Sequence, residues 1–382
     1  MVQQAAVVII GAGIIGGSVA YHLAARGQHN VVVLEREAVE VSGSTARSAA
    51  GVRHQFSSAT NVRLSKYSIE RFRHFEEEIG GHAEFHQTGY LFLVNDPATW
   101  DTYLENVALQ RSLGVRVEVL APADAATFIP RLNTADLLGA TYGPDDGFVD
   151  PHGVAMGYLR RARELGVRLE RDTAVQSITR DGEGWRLETT TGSWHADAVV
   201  NAAGAWGGGV AALAGLSVPI EPIRRNIYVT QPFPQLPTIP LTIDVATGFY
   251  MRKEGANVLL GLSRKDQAPG YDTNVDWDWF DEVLEAGFHR FPILEEAALN
   301  QQQSWAGLYE VTPDHMPILG RMPNAPSWIN AAGFSGHGVM HAPAAGLLIA
   351  EEIVDGRAHT ISIDALRIER FQGQTVAERN VI

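Results

Sequence analysis

Cysteine is absent from the 382 residues. That excludes a disulfide scaffold, thiolate catalysis, cysteine-held iron–sulfur clusters and cysteine-based zinc sites. Positive charge is scarce: 30 basic residues stand against 44 acidic ones, a net charge of −14. Nucleic-acid binding needs a basic stripe to meet the phosphates, and none is present, so no nucleic-acid partner is expected. Long hydrophobic runs are few. The one nearest the N-terminus, Val7 to Ala25, is interrupted by Gly11, Gly13, Gly16, Gly17 and His22, and no basic residue precedes it. It reads as a buried strand turning into a helix, not as a signal peptide or a membrane span. No membrane span is expected, and the expected compartment is the cytoplasm. Internal repeats, low-complexity tracts and flexible linkers are also missing, so the domains should be interleaved and not strung in series. What remains is 45% hydrophobic and 19% charged, an ordinary globular composition. The length allows two or three domains around a large core.

One metal pattern is quickly set aside. His82 and His86 flank Ala83-Glu84-Phe85. A zinc-protease motif needs Glu directly after the first His, on a helix. This segment reads as a strand, where residues four apart are about 13 Å apart. No metal site is expected.

Chemistry enters at the N-terminus. Ala6 to Ile10 is a continuous apolar run that fits a buried parallel strand. Gly11-Ala12-Gly13-Ile14-Ile15-Gly16 follows, then a helix over 18–26, a strand over 31–34 and Glu35. Gly11 allows the tight turn, Gly13 lets the backbone approach a pyrophosphate, and Gly16 lets helix and strand pack closely. The helix N-terminus offers unpaired N–H groups to phosphate. Glu35, 19 residues after Gly16, sits where a carboxylate accepts ribose hydroxyl hydrogens and would repel a 2′-phosphate. The pattern points to a dinucleotide and leaves NAD and FAD both open.

Further along, helices are expected over 61–75, 101–113, 153–165, 276–291 and 342–354. Strands are expected over 85–94, 140–142, 168–170, 174–180, 185–190, 198–200 and 328–332. Small residues close two of these strands, in Asn201-Ala202-Ala203-Gly204-Ala205-Trp206 and in Gly333-Phe334-Ser335-Gly336-His337-Gly338.

Four segments together resemble the D-amino-acid-oxidase-like flavoprotein superfamily: Gly11–Gly16 with Glu35, Gly43-Ser44-Thr45-Ala46-Arg47-Ser48, Asn201–Trp206 and Gly333–Met340. More narrowly, the chain looks like the β subunits of sarcosine oxidase and dye-linked L-proline dehydrogenase. GSTARSAAGVRHQF, WAGLYEVTPDHMPILG (Trp305 to Gly320) and AGFSGHGVMHAPA carry that likeness, which spans the chain. The resemblance implies an α/β (α+β overall) fold. A Rossmann-like FAD-binding domain over 1–80, 150–220 and 320–382 would interleave with a substrate domain over 81–149 and 221–319. The latter would be built on a mixed, largely antiparallel sheet. It also implies site residues. Gly11, Gly13, Ile14, Ile15 and Gly16 form the glycine turn, and Glu35 and Arg36 hold the adenosine. Ser44, Thr45, Arg47 and Ser48 lie along the pyrophosphate and flavin edge. Val175 contacts the adenine by its backbone, and Ala202, Gly204 and Trp206 line the path. Gly333, Gly336, His337, Gly338 and Met340 present backbone near the flavin N1–C2 carbonyl edge.

The implied reaction is C–N oxidation of a sarcosine-, dimethylglycine- or proline-like amino acid, with hydride transfer to flavin N5 leaving an imine. Arg53 is the first candidate for gripping the substrate carboxylate, because a guanidinium offers two parallel hydrogen bonds. His54 beside it is a candidate for tuning protonation. Tyr250 and Arg252, on one face of an expected strand, and Tyr309 with Thr312 complete the candidate wall. Met340 stands where monomeric sarcosine oxidases have a lysine, which argues against sarcosine itself. Lys265 reads as a surface lysine. With no cysteine, no histidine near Arg47, and His152 out of step with the histidine that carries FMN in sarcosine oxidase β subunits, one noncovalent FAD and no FMN is expected. Alternatives remain: a catalytic β-type subunit passing electrons to partner subunits or an acceptor protein, or a non-catalytic flavin-binding assembly protein.

Overall fold

Val7, Val8 and Ile9 are buried on both faces of their strand, so Gln3–Ile10 (β1) can only lie inside a sheet. The structure, a computed structural model, describes residues 1–373 and 377–380. In it β1 pairs in parallel with Val31–Leu34 (β2) on one side and with Gly192–Asn201 on the other. The sheet runs in the order 318–322, 325–332, 192–201, β1, β2, 168–170. Strand 325–332 is parallel to 192–201, and 168–170 is parallel to β2. Its outer strand 318–322 and the hairpin 175–189 pair antiparallel. Register aligns Ile10 with Asn201 and Leu34, and Asn201 with Asn330. The carboxyl ends of the central strands therefore open at one edge, where open α/β sheets bind their ligands.

Helix Ile14–Ala25 (α1) packs on one face with the helices Pro151–Glu164 and Gly338–Val354. The opposite face is closed by Trp185, Trp194 and Trp328, all fully buried. α1 begins four residues earlier than the sequence suggests, so Gly16 and Gly17 are helical. Close packing on β1 explains this: a Cβ on Gly16 would lie 1.9 Å from the Gly11 carbonyl oxygen. The last helix likewise starts at Gly338 and not at 342, with Pro343 inside it.

The second sheet has the order 305–311, 221–229, 257–261, 249–254, 241–244, 90–94, 139–143, 118–120. Every pairing is antiparallel except 241–244 with 90–94. The mixed, largely antiparallel sheet expected from the sequence is thus present. The strand expected over 85–94 is confined to Tyr90–Val94. Gly89 has φ +87°, a turn conformation that directs the chain into the strand under the Tyr142 ring. The helix expected over 276–291 is a short 3₁₀ turn followed by Phe280–Arg290. The His82–His86 segment is a loop with one isolated bridge at His86. Among the described residues no cluster of His, Asp and Glu could hold a metal. Among the same residues no helix is long and apolar enough to cross a membrane.

The contact between α1 and the last helix generates a prediction. Ser18 Oγ donates to Ala342 O at 2.8 Å, and a Cβ on Gly346 would sit 2.1 Å from that Oγ. Gly346→Ala should therefore force the helices apart and destabilise the fold by about 1–3 kcal/mol. Denaturant titration of the cofactor-free protein measures it, and an unchanged midpoint would contradict this account of the packing.

Candidate cofactor and substrate site

At the carboxyl edge of the first sheet a cavity of about 470 Å³ runs from Glu35 to the underside of the second sheet. Its floor is made by main chain. Gly11 has φ +107°, and a Cβ there would lie 2.5 Å from Ala202 O. Gly13 caps α1 without any side-chain hydrogen bond, and the first turn of α1 has no acid. That leaves the positive end of the helix dipole facing the cavity. Thr45 Oγ1 accepts from Ile14 N–H at 3.1 Å and ties the 42–49 segment to this turn. Glu35 orders the far end: Oε2 accepts from Ala12 N–H at 2.9 Å and Oε1 from Glu37 N–H at 3.0 Å. Beside it the Arg36 guanidinium lies 3.8 Å over the Trp206 ring, which stacks on Tyr271 at 5.5 Å.

The other end lies between the sheets. Arg225, Ile227, Tyr250, Gly307, Leu308, Tyr309 and Glu310 descend from the second sheet, and Gly336, Gly338 and Val339 rise from below. The 44–49 segment is pinned to this roof. Ser44 Oγ donates to Leu308 O at 2.7 Å, Arg47 to Ala306 O at 3.1 Å, and Trp305 Nε1 to Arg47 O at 2.9 Å. The Tyr309 ring rests on Gly336, where a Cβ would come within 2.3 Å of it. Burial pushes the phenols of Tyr250 and Tyr309 up, so both stay neutral hydrogen-bonding groups.

The structure brings together Gly11, Gly13, Ile14, Ile15, Glu35, Arg36, Ser44, Thr45, Arg47, Ser48, Val175, Ala202, Gly204, Trp206, Tyr250, Tyr309, Gly336 and Gly338 on this one cavity. Gly16 lies behind it, in the α1 contact. Gly333 is behind it too: its N–H donates to Glu310, and a Cβ would strike Thr312 Cγ2 at 2.5 Å. Met340 is buried in the core of the last helix. His337 is buried under Arg53, and burial with that guanidinium holds its imidazole well below the usual histidine range, hence neutral.

Four candidate substrate residues, Arg53, His54, Arg252 and Thr312, stand apart from the cavity lining. The buried Arg53 guanidinium donates to Gln55 O and, at 2.5 Å, to Asn380 O, and lies 4.1 Å over the Phe56 ring. Its donors are held by main chain. His54 Nδ1 is 2.5 Å from Asp146 Oδ1 and faces a separate cavity beside Lys66 and Arg116. Arg252 donates to Ala49 O at 2.7 Å and to Lys253 O, and pairs with Glu254. Thr312 is buried and donates to Met316 O. Lys265 and His152 are exposed.

Two residues not singled out in the sequence have a place here. Arg225 is largely enclosed, its Nε has no hydrogen-bond partner among the described residues, and Nη1 donates to Arg224 O at 3.0 Å. Burial draws its pKa down, and it forms no ion pair among the described residues. Neighbouring Arg224 points the other way, to Asp272 and Asp276. The alternation of a strand sends one arginine of the pair inward, which is the signal that was available. Glu310, inside the quoted WAGLYEVTPDHMPILG, is the second.

The family profile described as "DAO: FAD dependent oxidoreductase" matches residues 6–352. The chain belongs to this family of FAD-dependent oxidoreductases. It is 34% identical to FAD-dependent oxidoreductase domain-containing protein 1 of Xenopus laevis, covering 100% of this chain and 85% of that protein. It is 30% identical to human mitochondrial sarcosine dehydrogenase over 93% of its own length but only 40% of that enzyme's. The L-proline dehydrogenase structure from P. horikoshii superposes with a TM-score of 0.91 at 31% identity, covering 98% of this chain and 100% of that one. Glycine oxidase from Geobacillus kaustophilus superposes with a TM-score of 0.85 at 28% identity, covering 96% and 99%. The cavity of this oxidoreductase fits FAD. It has an uncapped helix end that would receive a pyrophosphate, a carboxylate that would meet ribose hydroxyls, and a glycine turn packed against backbone.

Glu35 holds the Ala12 turn and stands where a ribose hydroxyl would reach it, so Glu35→Ala should weaken FAD binding by about 1.5–3 kcal/mol, roughly tenfold to a hundredfold. Fluorescence titration of the apoprotein with FAD reads this directly. Unchanged affinity in a folded variant would exclude the assigned role.

Proposed function

We propose that this oxidoreductase oxidises the C–N bond of a small secondary, tertiary or cyclic amino acid, leaving an imine. Arg225 carries the reading. A guanidinium enclosed without a counter-ion is costly unless something pairs with it, and a substrate carboxylate supplies that partner with two parallel hydrogen bonds. FAD, when bound, would supply the two-electron acceptor for this oxidation. The chain's own residues do the positioning. Arg225 holds the carboxylate at the roof, while Tyr250 and Tyr309 wall the pocket, exclude water and offer neutral hydroxyls to the amine. No group is required to abstract a proton from carbon in this scheme. Met340, buried away from the cavity, leaves Arg225 as the principal anchor, in place of the Arg53 expected from the sequence.

In this reading FAD is held without a covalent bond, because the chain has no cysteine and no histidine lines the cavity. The first sheet and its helices belong to an FAD-binding domain over 1–80, 150–220 and 320–382. The second sheet belongs to a substrate-binding domain over 81–149 and 221–319. The relatives named as sarcosine dehydrogenase and L-proline dehydrogenase support the substrate class.

The test is anaerobic addition of sarcosine, dimethylglycine, L-proline, glycine and D-amino acids to the purified yellow protein. One of them should bleach the flavin band, and readmitting air then tells an oxidase from an enzyme that needs a partner acceptor. Arg225→Ala should raise KM for that amino acid by roughly 30-fold, about 2 kcal/mol, with FAD still bound. It should leave oxidation of the decarboxylated amine analogue unchanged. An equal loss for both compounds would reject Arg225 as the carboxylate anchor.

A further inference from the structure

Glu310 is the cavity's unexplained acid. It stands on strand 305–311 and is one of the residues lining the cavity beneath the second sheet. Oε2 accepts from Gly333 N–H at 2.8 Å, which fixes the carboxyl against the loop that leads into the last helix. The backbone repeats the tie: Ser335 N–H donates to Glu310 O at 3.1 Å. Oε1 takes no hydrogen bond from any described residue and points toward Gly338, where a Cβ would lie 3.9 Å away. Gly338 opens a 17-residue helix with no acid in its first turn and no side-chain cap. Glu310 thus stands next to a helix N-terminus built to favour negative charge, with one oxygen free.

We propose that Glu310 is the charge-setting carboxyl of the flavin pocket, its free Oε1 facing the bound ring and presenting it with a hydrogen-bond donor when protonated and a negative charge when ionised. This rests on the reading that FAD occupies the cavity with its ring beneath the second sheet. Three observations support it. The carboxyl has no cationic partner among the described residues. It is pinned from one side only. Burial pushes its pKa up to about 7 against the opposing pull of the Gly333 and Phe334 N–H groups, so the two forms exchange in an accessible pH range. The sign follows from this. Below about pH 7 the neutral acid assists accumulation of negative charge on a reduced ring. Above it the carboxylate opposes that charge, and reduction becomes less favourable.

Other groups near the ring end do not supply the same switch. Arg47 and Arg225 are guanidinium cations throughout this range. Tyr250 and Tyr309 are neutral, with pKa values pushed up by burial. His315, on the loop after the strand, and His337, before the helix, are held below the usual histidine range by burial.

The experiment uses the FAD-loaded protein without substrate. The visible spectrum of the bound flavin is titrated from pH 5 to 9, and the reduction potential is followed by dye equilibration over the same range. Free oxidised flavin does not titrate in this window. Wild-type protein should show a spectral transition centred near pH 7, with reduction growing steeper in its pH dependence through that point. Glu310→Gln should remove the transition and match the wild-type potential at pH 5, departing from it at pH 9. Glu310→Asp should restore a transition. A flavin indifferent to pH in the wild type overturns the proposal whatever the variants do. So does an unchanged transition in Glu310→Gln, or one that appears only with substrate bound. Protein that takes up no FAD would overturn the cofactor reading itself, a distinct and earlier failure.

Discussion

Close approach of main chain to main chain, at the point where β1 ends, is the constraint on which the structure depends. A side chain on Gly11 would collide with the Ala202 carbonyl, and one on Gly16 with the carbonyl of Gly11. Strand, turn and helix are therefore in direct contact, and the neighbouring strand ends at the same level. Glycines and small or apolar residues line the floor there. That arrangement places a helix dipole, a carboxylate from β2 and a row of small residues around one opening, an arrangement that a dinucleotide fits and a bulkier floor would close.

A second consequence is the fixed distance between floor and roof. The 44–49 segment leaves the first sheet and is hydrogen-bonded along the edge of the second, through Leu308 O, Ala306 O and the Trp305 indole. Arg252 closes the same seam at Ala49 O. Held from both sides, the cavity has a defined height, and residues from strands 221–229, 249–254 and 305–311 meet the cofactor path at set positions. Arg252 matters for this reason, although it does not line the pocket.

Buried arginines show how satisfaction separates structural from receptor roles. Arg53 and Arg290 are both almost wholly buried. Arg53 gives its protons to main-chain carbonyls and an aromatic face, and Arg290 pairs with Asp136 and Asp244. Both are anchored by contacts within the protein and neither lines the cavity. Arg225 is enclosed and forms no ion pair among the described residues, its Nε without a hydrogen-bond partner, which is why the proposed function gives it the substrate carboxylate. Glu310 is its acidic counterpart lower in the same cavity, anchored through one oxygen and open at the other.

The glycine turn, the acid after β2 and the small residues closing the later strands were legible because they are local. Each needs only a few consecutive residues to define its geometry, and the quoted motifs gathered nearly all the cofactor-lining positions. Element boundaries suffered where packing overrode propensity, as at Gly16, Gly17 and Pro343, which are helical because neighbouring elements demand it. The substrate side was not legible in the same way. Arg53 follows a motif closely and Arg225 belongs to none, yet tertiary structure turns the first into glue and leaves the second facing the cavity. Whether a charged side chain is already satisfied depends on carbonyls and acids hundreds of residues away, Asn380 for Arg53 among them. The sequence by itself determined the chain's dinucleotide-binding turn and its family. Only the folded chain decided which charges are free to act, because hydrogen-bond satisfaction is a property of the packed whole.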